Sequence, residues 1–300
     1  MHVAVIGIGS NSVRLLVADC AEGAMRTVHR GRCGTRLFAG LQAGALSADS
    51  MAHSCQAVAE MAACARQLGA QTIHAFATSA VRDASNREVF CAMVRNQAGL
   101  TLEICSGEEE ALLSFLGAAR PGRCGMIDIG GGSTEWVVGQ DGTPLAAVSM
   151  QMGGVRLHRR VPIHSAADIP RAQAEAHAVL QTGTHAFAAH AAPAQWVGVG
   201  GTFTTLAAMD KGLASFDRSL VEGYLLTEAR VAYWAHALAD MTMAERCHVP
   251  GLQPQRADIV VHGIAILMAC MQLWGMPAIT VSDHGNLDGY LRRKLRTATA

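Results

Sequence analysis

The sequence has no excess of charge of either sign. Its 24 basic residues equal its 24 acidic residues, and charged residues make up only 16% of the chain. This balance excludes a nucleic-acid-binding protein that depends on its overall charge, because such binding draws on an excess of Lys and Arg. The charge balance does not exclude a local basic patch. Half of the 300 residues are hydrophobic, which is enough to build sizeable cores in about two domains.

Signals for disulfides, histidine metal sites and membrane insertion are also missing. The nine cysteines form no C-x-x-C pair, and the 13 histidines form no H-E-x-x-H pattern. We therefore expect free thiols in a reducing cytoplasm. The N-terminus has no signal-peptide pattern, and the most apolar run, residues 259–274, is short for a membrane span. We expect a cytoplasmic protein without membrane contact, in which this run forms a buried helix.

The chain is organised around a motif at residues 126–138. Asp128 lies in an apolar run, and the turn that follows contains Gly130, Gly131, Gly132, Ser133, Thr134 and Glu135. Glycines let a turn bring its N–H groups close to a ligand, and consecutive N–H groups form an anion-binding concavity. A carboxylate at the strand end can hold a divalent metal or orient a water. We interpret the motif as strand, turn, strand with a phosphate-and-metal site. An ordinary hairpin turn would not need so many glycines and polar residues together.

A related motif lies at the N-terminus. Residues 6–17 align without a gap on residues 127–138, so that Ser12 matches Ser133. Two such hairpins predict two related half-domains that face each other across a cleft. One position differs, because Gly7 stands where the second copy has Asp128. A dinucleotide-binding G-x-G-x-x-G motif is not supported here, since Ser12 replaces its third glycine.

Two further segments carry candidate charged groups. Arg82 follows a predicted strand at residues 73–77 and could offer a planar fork to a phosphate, or form a salt bridge with Asp83 or Glu88. Arginines in residues 25–40 belong either to a solvated loop or edge strand, or to a basic lip that attracts a polyanion.

Three consecutive acids follow Ser106 and open a predicted helix: Glu108, Glu109 and Glu110. Ser106 can cap this helix, and acids in its first turn suit the helix dipole. Alternatively, one of the three is a general base. Neighbouring side chains splay by about 100° around a helix, so the spacing alone does not select one.

These motifs, in this order, resemble the exopolyphosphatase / guanosine-pentaphosphate phosphohydrolase (Ppx/GppA) family of the actin-like ATPase superfamily. The matching segments extend over residues 6–289 and include residues 77–82, 106–111, 128–135, 154–157, 200–202 and 281–283. The resemblance implies an α/β fold with two ribonuclease-H-like domains flanking a central cleft. The first domain would span 1–122 and the second 123–287, with a C-terminal helix, 288–300, packing back on the first.

The resemblance also implies roles for single residues. Glu109 would activate the water that attacks a terminal phosphorus. Asp128 and Glu135 would hold Mg²⁺ or Mn²⁺, and Asp128 would hold either the metal or that water. Phosphate oxygens would be bound by one arginine and three turns: Ser10, Asn11, Ser12, Arg82, Gly130, Gly131, Gly132, Ser133, Thr134, Gly200, Gly201 and Thr202. The substrate would be polyphosphate or guanosine pentaphosphate, and we expect a homodimer.

Two departures from the family pattern bear on activity. An acid that helps the metal site usually stands at Gly7, and an arginine usually stands at Leu287. The leading hypothesis is a Mg²⁺-dependent phosphohydrolase. The alternative, motivated by Gly7, is a catalytically weakened sensor of polyphosphate or an alarmone. A kinase or ATPase of the same superfamily is less favoured, because nothing in the sequence identifies an acceptor substrate.

Overall fold

The computed structural model describes residues 1–21 and 24–299, and side chains up to residue 296. The chain forms two compact units, Met1–Gly117 with Asn286–Ala300, and Ala118–Gly285. The sequence suggested boundaries after residues 122 and 287. Residues 118–122 instead belong to the second unit. There the Gly122 N–H donates a hydrogen bond to Asp141 Oδ1 at 2.7 Å.

The first unit contains a five-stranded sheet in the order β3-β2-β1-β6-β7. The strands of this unit are β1 (His2–Ile8), β2 (Ser12–Ala21), β3 (Ala24–Gly34), β4 (Leu41–Gln42), β5 (Ala45–Leu46), β6 (Thr72–Ala77) and β7 (Leu102–Ile104). The β1–β2 and β2–β3 pairs are antiparallel, whereas β6 is parallel to β1 and β7 to β6. Strands β4 and β5 pair separately. The arginine-rich segment therefore supplies an edge strand, β3.

The first of this unit's helices are α1 (Ala48–Gln67), α2 (Ser79–Arg82), α3 (Arg87–Ala98) and α4 (Gly107–Ala118), with a 3₁₀ turn at Leu37–Gly40. Helix α1 begins where a polar side chain can accept from its first turn. Ser47 is the N-cap, and its hydroxyl accepts a hydrogen bond from the Ser50 N–H at 3.3 Å. Such a bond satisfies an N–H that the helix itself leaves without an acceptor.

The second unit contains a six-stranded sheet in the order β10-β9-β8-β11-β13-β12. Its strands are β8 (Arg123–Ile129), β9 (Thr134–Gln140), β10 (Thr143–Met150), β11 (Gln195–Val199), β12 (Leu225–Thr227) and β13 (Ala278–Ser282). The β8–β9 and β9–β10 pairs are antiparallel, and β11 and β13 continue the sheet in parallel with β8. The short β12 adds an antiparallel edge.

The helices of the second unit are α5 (Gly154–Arg160), α6 (Ile169–Gln181), α7 (Gly201–Asp210), α8 (Arg218–Val221), α9 (Glu228–Ala239), α10 (Met243–Arg246) and α11 (Val260–Trp274). Three 3₁₀ turns lie at Ala166–Asp168, Thr182–Phe187 and Pro254–Arg256. Helix α11 is buried along most of its length, as its apolar sequence predicted. None of the helices in the described ranges combines the length and apolar character that a bilayer crossing needs.

The last helix, α12 (Asn286–Thr299), belongs to the first unit. It begins two residues before the predicted start at 288, and residue 300 lies outside the described residues. Tyr290 of this helix is fully buried and stacks on Phe76 of β6, with ring centroids 4.8 Å apart.

Both units share one sheet plan, in which an antiparallel meander of three strands is followed by two parallel strands. This is the ribonuclease-H-like topology.

Candidate functional site

The turn between β8 and β9 in the second unit is closed by a hydrogen bond from the Gly130 N–H to the Ser133 carbonyl, at 3.0 Å. The Gly130 and Gly131 carbonyls point towards helix α5. They accept the N–H groups of Gly154 and Val155, both at 2.9 Å. The N–H groups of Gly131 and Gly132 have no acceptor within the described ranges. The turn thus directs its carbonyls at protein and leaves its N–H groups for an anion.

Gly153 allows this close approach of loop and helix. A Cβ on Gly153, just before α5, would lie 2.5 Å from the carbonyl carbon of Gly131. The Nε of Arg156 donates to the Gly132 carbonyl at 2.8 Å. Helix α5 therefore supports the turn from behind, and a side chain at position 153 would push the turn out of place.

Two carboxylates lie beside this turn. Asp128 of β8 and Glu135 of β9 are register partners in the antiparallel pair, which puts their side chains on one face of the sheet. Glu135 is 1% exposed and accepts a hydrogen bond from the Ser149 hydroxyl at 2.7 Å. Gly200 has φ of 89°, and a Cβ there would lie 2.6 Å from Asp128 Oδ1. The close approach of the Gly200 backbone to Asp128 therefore needs a glycine.

The predicted phosphate-binding residues after the glycines differ in their surroundings. Ser133 is 1% exposed. The Thr134 hydroxyl is fully buried and donates to the Met152 carbonyl at 2.6 Å. Thr134 thus connects β9 to the segment before α5, and its hydroxyl proton is already committed to a protein acceptor.

The start of helix α7 carries a cation that the sequence did not reveal. Gly200 precedes this helix, and Gly201 and Thr202 are its first two residues. The first N–H groups of a helix can bind an anion. A Cβ on Gly201 would collide with the guanidinium of Arg256, which lies against the helix start. Arg256 is 55 positions away in sequence (256 minus 201). The sequence hinted at this contact only through Gly201, a glycine at a helix position where most residues would fit.

The turn between β1 and β2 in the first unit repeats this geometry. The Gly9 N–H donates to the Ser12 carbonyl at 3.0 Å, the same bond as in the second unit. The Ser10 carbonyl accepts from Phe38, and the Asn11 carbonyl accepts from Thr35. The N–H groups of Ser10 and Asn11 have no acceptor in the parts of the chain described above. The two copies of the motif therefore form equivalent turns.

Arg82 lies on α2, in the first unit, and is held from several sides. Its Nη1 donates to the Cys105 carbonyl at 3.0 Å and to Glu110 Oε2 at 3.1 Å. Its Nε lies 3.6 Å from Asp83 Oδ1, so the salt bridge expected as an alternative is present. The Nη2 atom is buried and has no hydrogen-bond partner among the described residues. A buried guanidinium nitrogen without an acceptor costs free energy, and a phosphate oxygen would relieve that cost.

The three glutamates of α4 have separate roles in the structure. Glu109 is exposed and forms a capping box with Ser106: its carboxylate accepts the Ser106 N–H at 2.8 Å, and the Ser106 hydroxyl accepts the Glu109 N–H at 3.1 Å. Glu110 is 8% exposed and pairs with Arg82. Glu108 is exposed. The helix-capping interpretation thus describes Glu109, and Glu110 is the acid held beside a phosphate-binding candidate. The assignment of catalysis to Glu109 stays a prediction.

The Cys105 thiol, close to Arg82 and the start of α4, does not provide a nucleophile. Cys105 precedes the capping box and is 3% exposed. Burial, with a smaller contribution from the charge of Glu109, raises the pKa of the Cys105 thiol to about 12. The thiol therefore stays protonated at neutral pH, whereas a thiolate is the reactive form.

The two departures from the family pattern lie against each other. A Cβ on Gly7 would be 3.1 Å from Phe76 Cζ and 3.5 Å from Leu287 Cγ. Leu287 is 4% exposed in the first turn of α12. The positions of the missing acid and the missing arginine are thus in contact, and an apolar contact occupies this place.

Two arginines of β3 are engaged in ion pairs. Arg26 lies 3.5 Å from Asp19, and Arg30 pairs with the buried carboxylate of Asp288 on α12. Arg30 thus helps to fix α12 on the sheet. At least two arginines of the proposed basic lip are therefore engaged in ion pairs within the first unit.

Comparisons with known proteins agree with the motifs. A model of the Ppx/GppA phosphatase family matches residues 16–298. Exopolyphosphatase 2 of Mycobacterium tuberculosis is 32% identical over 311 residues, which covers 96% of this chain and 97% of that protein. An exopolyphosphatase structure from Cytophaga hutchinsonii superposes with a TM-score of 0.90 at 26% identity, over 99% of this chain and 98% of that one. The Aquifex aeolicus member of the Ppx/GppA family superposes with a TM-score of 0.83 at 26% identity, over 100% and 99% of the two chains.

Proposed function

The chain belongs to the Ppx/GppA phosphatase family, and from this premise we propose that it hydrolyses inorganic polyphosphate and releases phosphate from a chain end. Its two ribonuclease-H-like units have the fold of the actin-like ATPase superfamily. The similar proteins from M. tuberculosis and C. hutchinsonii are named as exopolyphosphatases. Those names support polyphosphate as the substrate and lend the sensor alternative no support.

One observation carries the proposal: the glycine turn of the second unit combines anion-binding N–H groups with two carboxylates on one sheet face. Gly131 and Gly132 offer their N–H groups, while Asp128 and Glu135 are register partners next to them. Phosphoanhydride hydrolysis needs charge neutralisation and positioning more than covalent chemistry. This turn supplies donors for phosphate oxygens and acceptors for a cation.

The carboxylate pair fits Mg²⁺. This ion usually takes one or two protein carboxylates and completes its octahedron with water and substrate phosphates. Within residues 1–21 and 24–299, no group of three or more His, Cys, Asp or Glu side chains could hold a metal ion. A Mg²⁺ ion held by Asp128 and Glu135 would therefore take its other ligands from substrate oxygens and water. When bound there, Mg²⁺ would neutralise phosphate charge. Asp128 and Glu135 would hold it, with the Ser149 hydroxyl fixing the orientation of Glu135.

A glutamate of α4 is proposed to take the proton of the attacking water. Glu109 is the residue that the family resemblance assigns, and its carboxylate is free to leave a capping box at an exposed helix end. Glu110 competes for the role, because it is buried and bonded to Arg82. Arg82 would bind a phosphate oxygen through its unpartnered Nη2. Arg256, against the start of α7, would add a second cation for phosphate.

The test is phosphate release in the presence of Mg²⁺, with long-chain polyphosphate, guanosine pentaphosphate and ATP offered in parallel. We expect release from polyphosphate. Replacing the true base should lower the rate on the order of 100-fold or more, so Glu109→Gln and Glu110→Gln are compared, with Glu108→Gln as the matched control on the same helix turn. No release from any substrate would refute the proposal. Release from guanosine pentaphosphate alone would replace the substrate.

A further inference from the structure

Two serine hydroxyls meet behind the phosphate-binding turn of the first unit. Ser10 lies in the β1–β2 turn, and Ser79 is the first residue of α2; their Oγ atoms are 2.8 Å apart. Ser10 is 6% exposed and Ser79 is 2% exposed. Across the described parts of the chain, each hydroxyl has only the other as hydrogen-bond partner. None of the sequence motifs indicates a role for Ser79.

The direction of this hydrogen bond decides what Ser10 can offer a ligand. A serine hydroxyl has one proton to donate and can accept as well. If Ser10 donates to Ser79, its proton is used inside the protein. If Ser79 donates to Ser10, the Ser10 proton stays available to an anion. Phosphate oxygens of polyphosphate are acceptors, so a bound phosphate selects the second direction and produces a chain of two bonds that strengthen each other.

Helix α2 also connects this serine pair to the arginine of the site. Ser79 and Arg82 are three positions apart on one short helix, a spacing that places both on the same side. The helix is anchored to β1 through the Thr78 N–H, which donates to the Ile8 carbonyl at 3.1 Å. The Ser10 hydroxyl and the Arg82 guanidinium are therefore set by the same rigid element.

We propose that Ser79 is a positioning residue for the phosphate-binding turn: it donates its proton to Ser10 Oγ, so that the Ser10 hydroxyl donates to a substrate phosphate. Ser79 itself does not touch the substrate. The inference rests on the proposed function, because it assigns the phosphate to the turn at residues 9–12.

A double-mutant cycle tests this role. Ser79→Ala should lower kcat/KM for polyphosphate about fivefold to tenfold, the effect of losing one neutral hydrogen bond. Ser10→Ala should lower it at least as much. Because Ser79 acts only through Ser10, the double variant Ser10→Ala/Ser79→Ala should be no slower than Ser10→Ala alone. Ser79→Thr keeps the hydroxyl and should recover most of the rate.

A matched control is available in the same unit. Ser54 of α1 is fully buried, and its hydroxyl has no partner among the described residues, so Ser54→Ala should keep the wild-type rate. Additive losses in the double variant would overturn the proposal, since they would show that Ser79 acts without Ser10. A stable Ser79→Thr protein as slow as Ser79→Ala would overturn it as well.

Binding of tripolyphosphate, measured by calorimetry on the same proteins, separates this inference from the proposed function. Wild-type release with an unchanged Ser79→Ala rate contradicts the inference alone. If no phosphate is released, but Ser79→Ala binds tripolyphosphate more weakly than wild type and the double variant binds it no more weakly than Ser10→Ala, the function alone is contradicted. A protein that neither releases phosphate nor binds tripolyphosphate contradicts both.

Discussion

Restoring the family's acid at position 7 should lower the free energy of unfolding of this protein. Gly7 is buried, and a Cβ there meets Phe76 Cζ at 3.1 Å and Leu287 Cγ at 3.5 Å. Gly7→Ala carries only this crowding, worth about 1 kcal/mol. Gly7→Asp adds a carboxylate against a phenyl ring and a leucine, and an uncompensated buried charge costs about 3–5 kcal/mol.

One nearby cation limits this cost without removing it. Arg14 is the register partner of Gly7 across the β1–β2 pair, and its Nη2 donates to Asn286 Oδ1 at 2.9 Å. Pairing an Asp at position 7 with Arg14 would require giving up that contact with α12. Restoring the arginine as well, in Gly7→Asp/Leu287→Arg, should return much of the lost stability, because the contacting positions would then hold opposite charges.

The assay is urea unfolding followed by far-ultraviolet circular dichroism. With a slope of about 3 kcal/mol per molar urea, Gly7→Asp should lower the midpoint by about 1 M and Gly7→Ala by about 0.3 M. The double variant should regain more than half of the Asp loss. A Gly7→Asp protein as stable as wild type, or a double variant less stable than Gly7→Asp, would refute the coupling of positions 7 and 287.

Three other predictions follow from the geometry. Gly153→Ala should lower phosphate release about tenfold or more while leaving most helical content in place, because its Cβ would displace the turn at Gly131; unchanged kinetics would contradict the supporting role of α5. Arg246→Met should lower the free energy of unfolding by about 3 kcal/mol in urea titrations. The buried guanidinium donates hydrogen bonds to the Leu238 and Ala239 carbonyls at the end of α9, and the variant loses both. A loss below about 1 kcal/mol would contradict this stabilising role of Arg246. Burial and the neighbouring His158 ring, 4.6 Å away, lower the pKa of His262 from 6.5 to about 4, so the unfolded chain takes up this proton first and stability falls as pH drops from 6.5 towards 4. This group alone should cost about 2 kcal/mol at pH 5 relative to pH 7.5, and His262→Gln should show a flatter pH dependence in the same urea assay.

The sequence predicted the fold and family well because their signals are local. Each hairpin shows as an apolar run, a glycine-rich turn and a second apolar run, and its repetition predicted two equivalent halves. The family assignment and the two ribonuclease-H-like units are confirmed. The Ser47 cap of α1 is local in the same way, because the bond joins residues only three positions apart.

The parts that escaped prediction depend on residues distant in sequence. Three adjacent acids look alike until Arg82, 28 positions before Glu110, bonds to one of them. The Gly201–Arg256 and Gly7–Leu287 contacts likewise join different elements of their units. The metal ion, the homodimer and the use of guanosine pentaphosphate stay predictions.

Phosphate release from polyphosphate by wild type and Asp128→Asn, across a Mg²⁺ titration, tests the central claim most directly. Asp49→Asn, which changes an exposed acid in the first turn of α1, serves as the control. We expect Mg²⁺-dependent release by wild type and by the control, and a loss on the order of 100-fold or more in Asp128→Asn. Equal release by Asp128→Asn and wild type at every Mg²⁺ concentration would contradict the assignment of the second-unit turn as the phosphate-and-metal site.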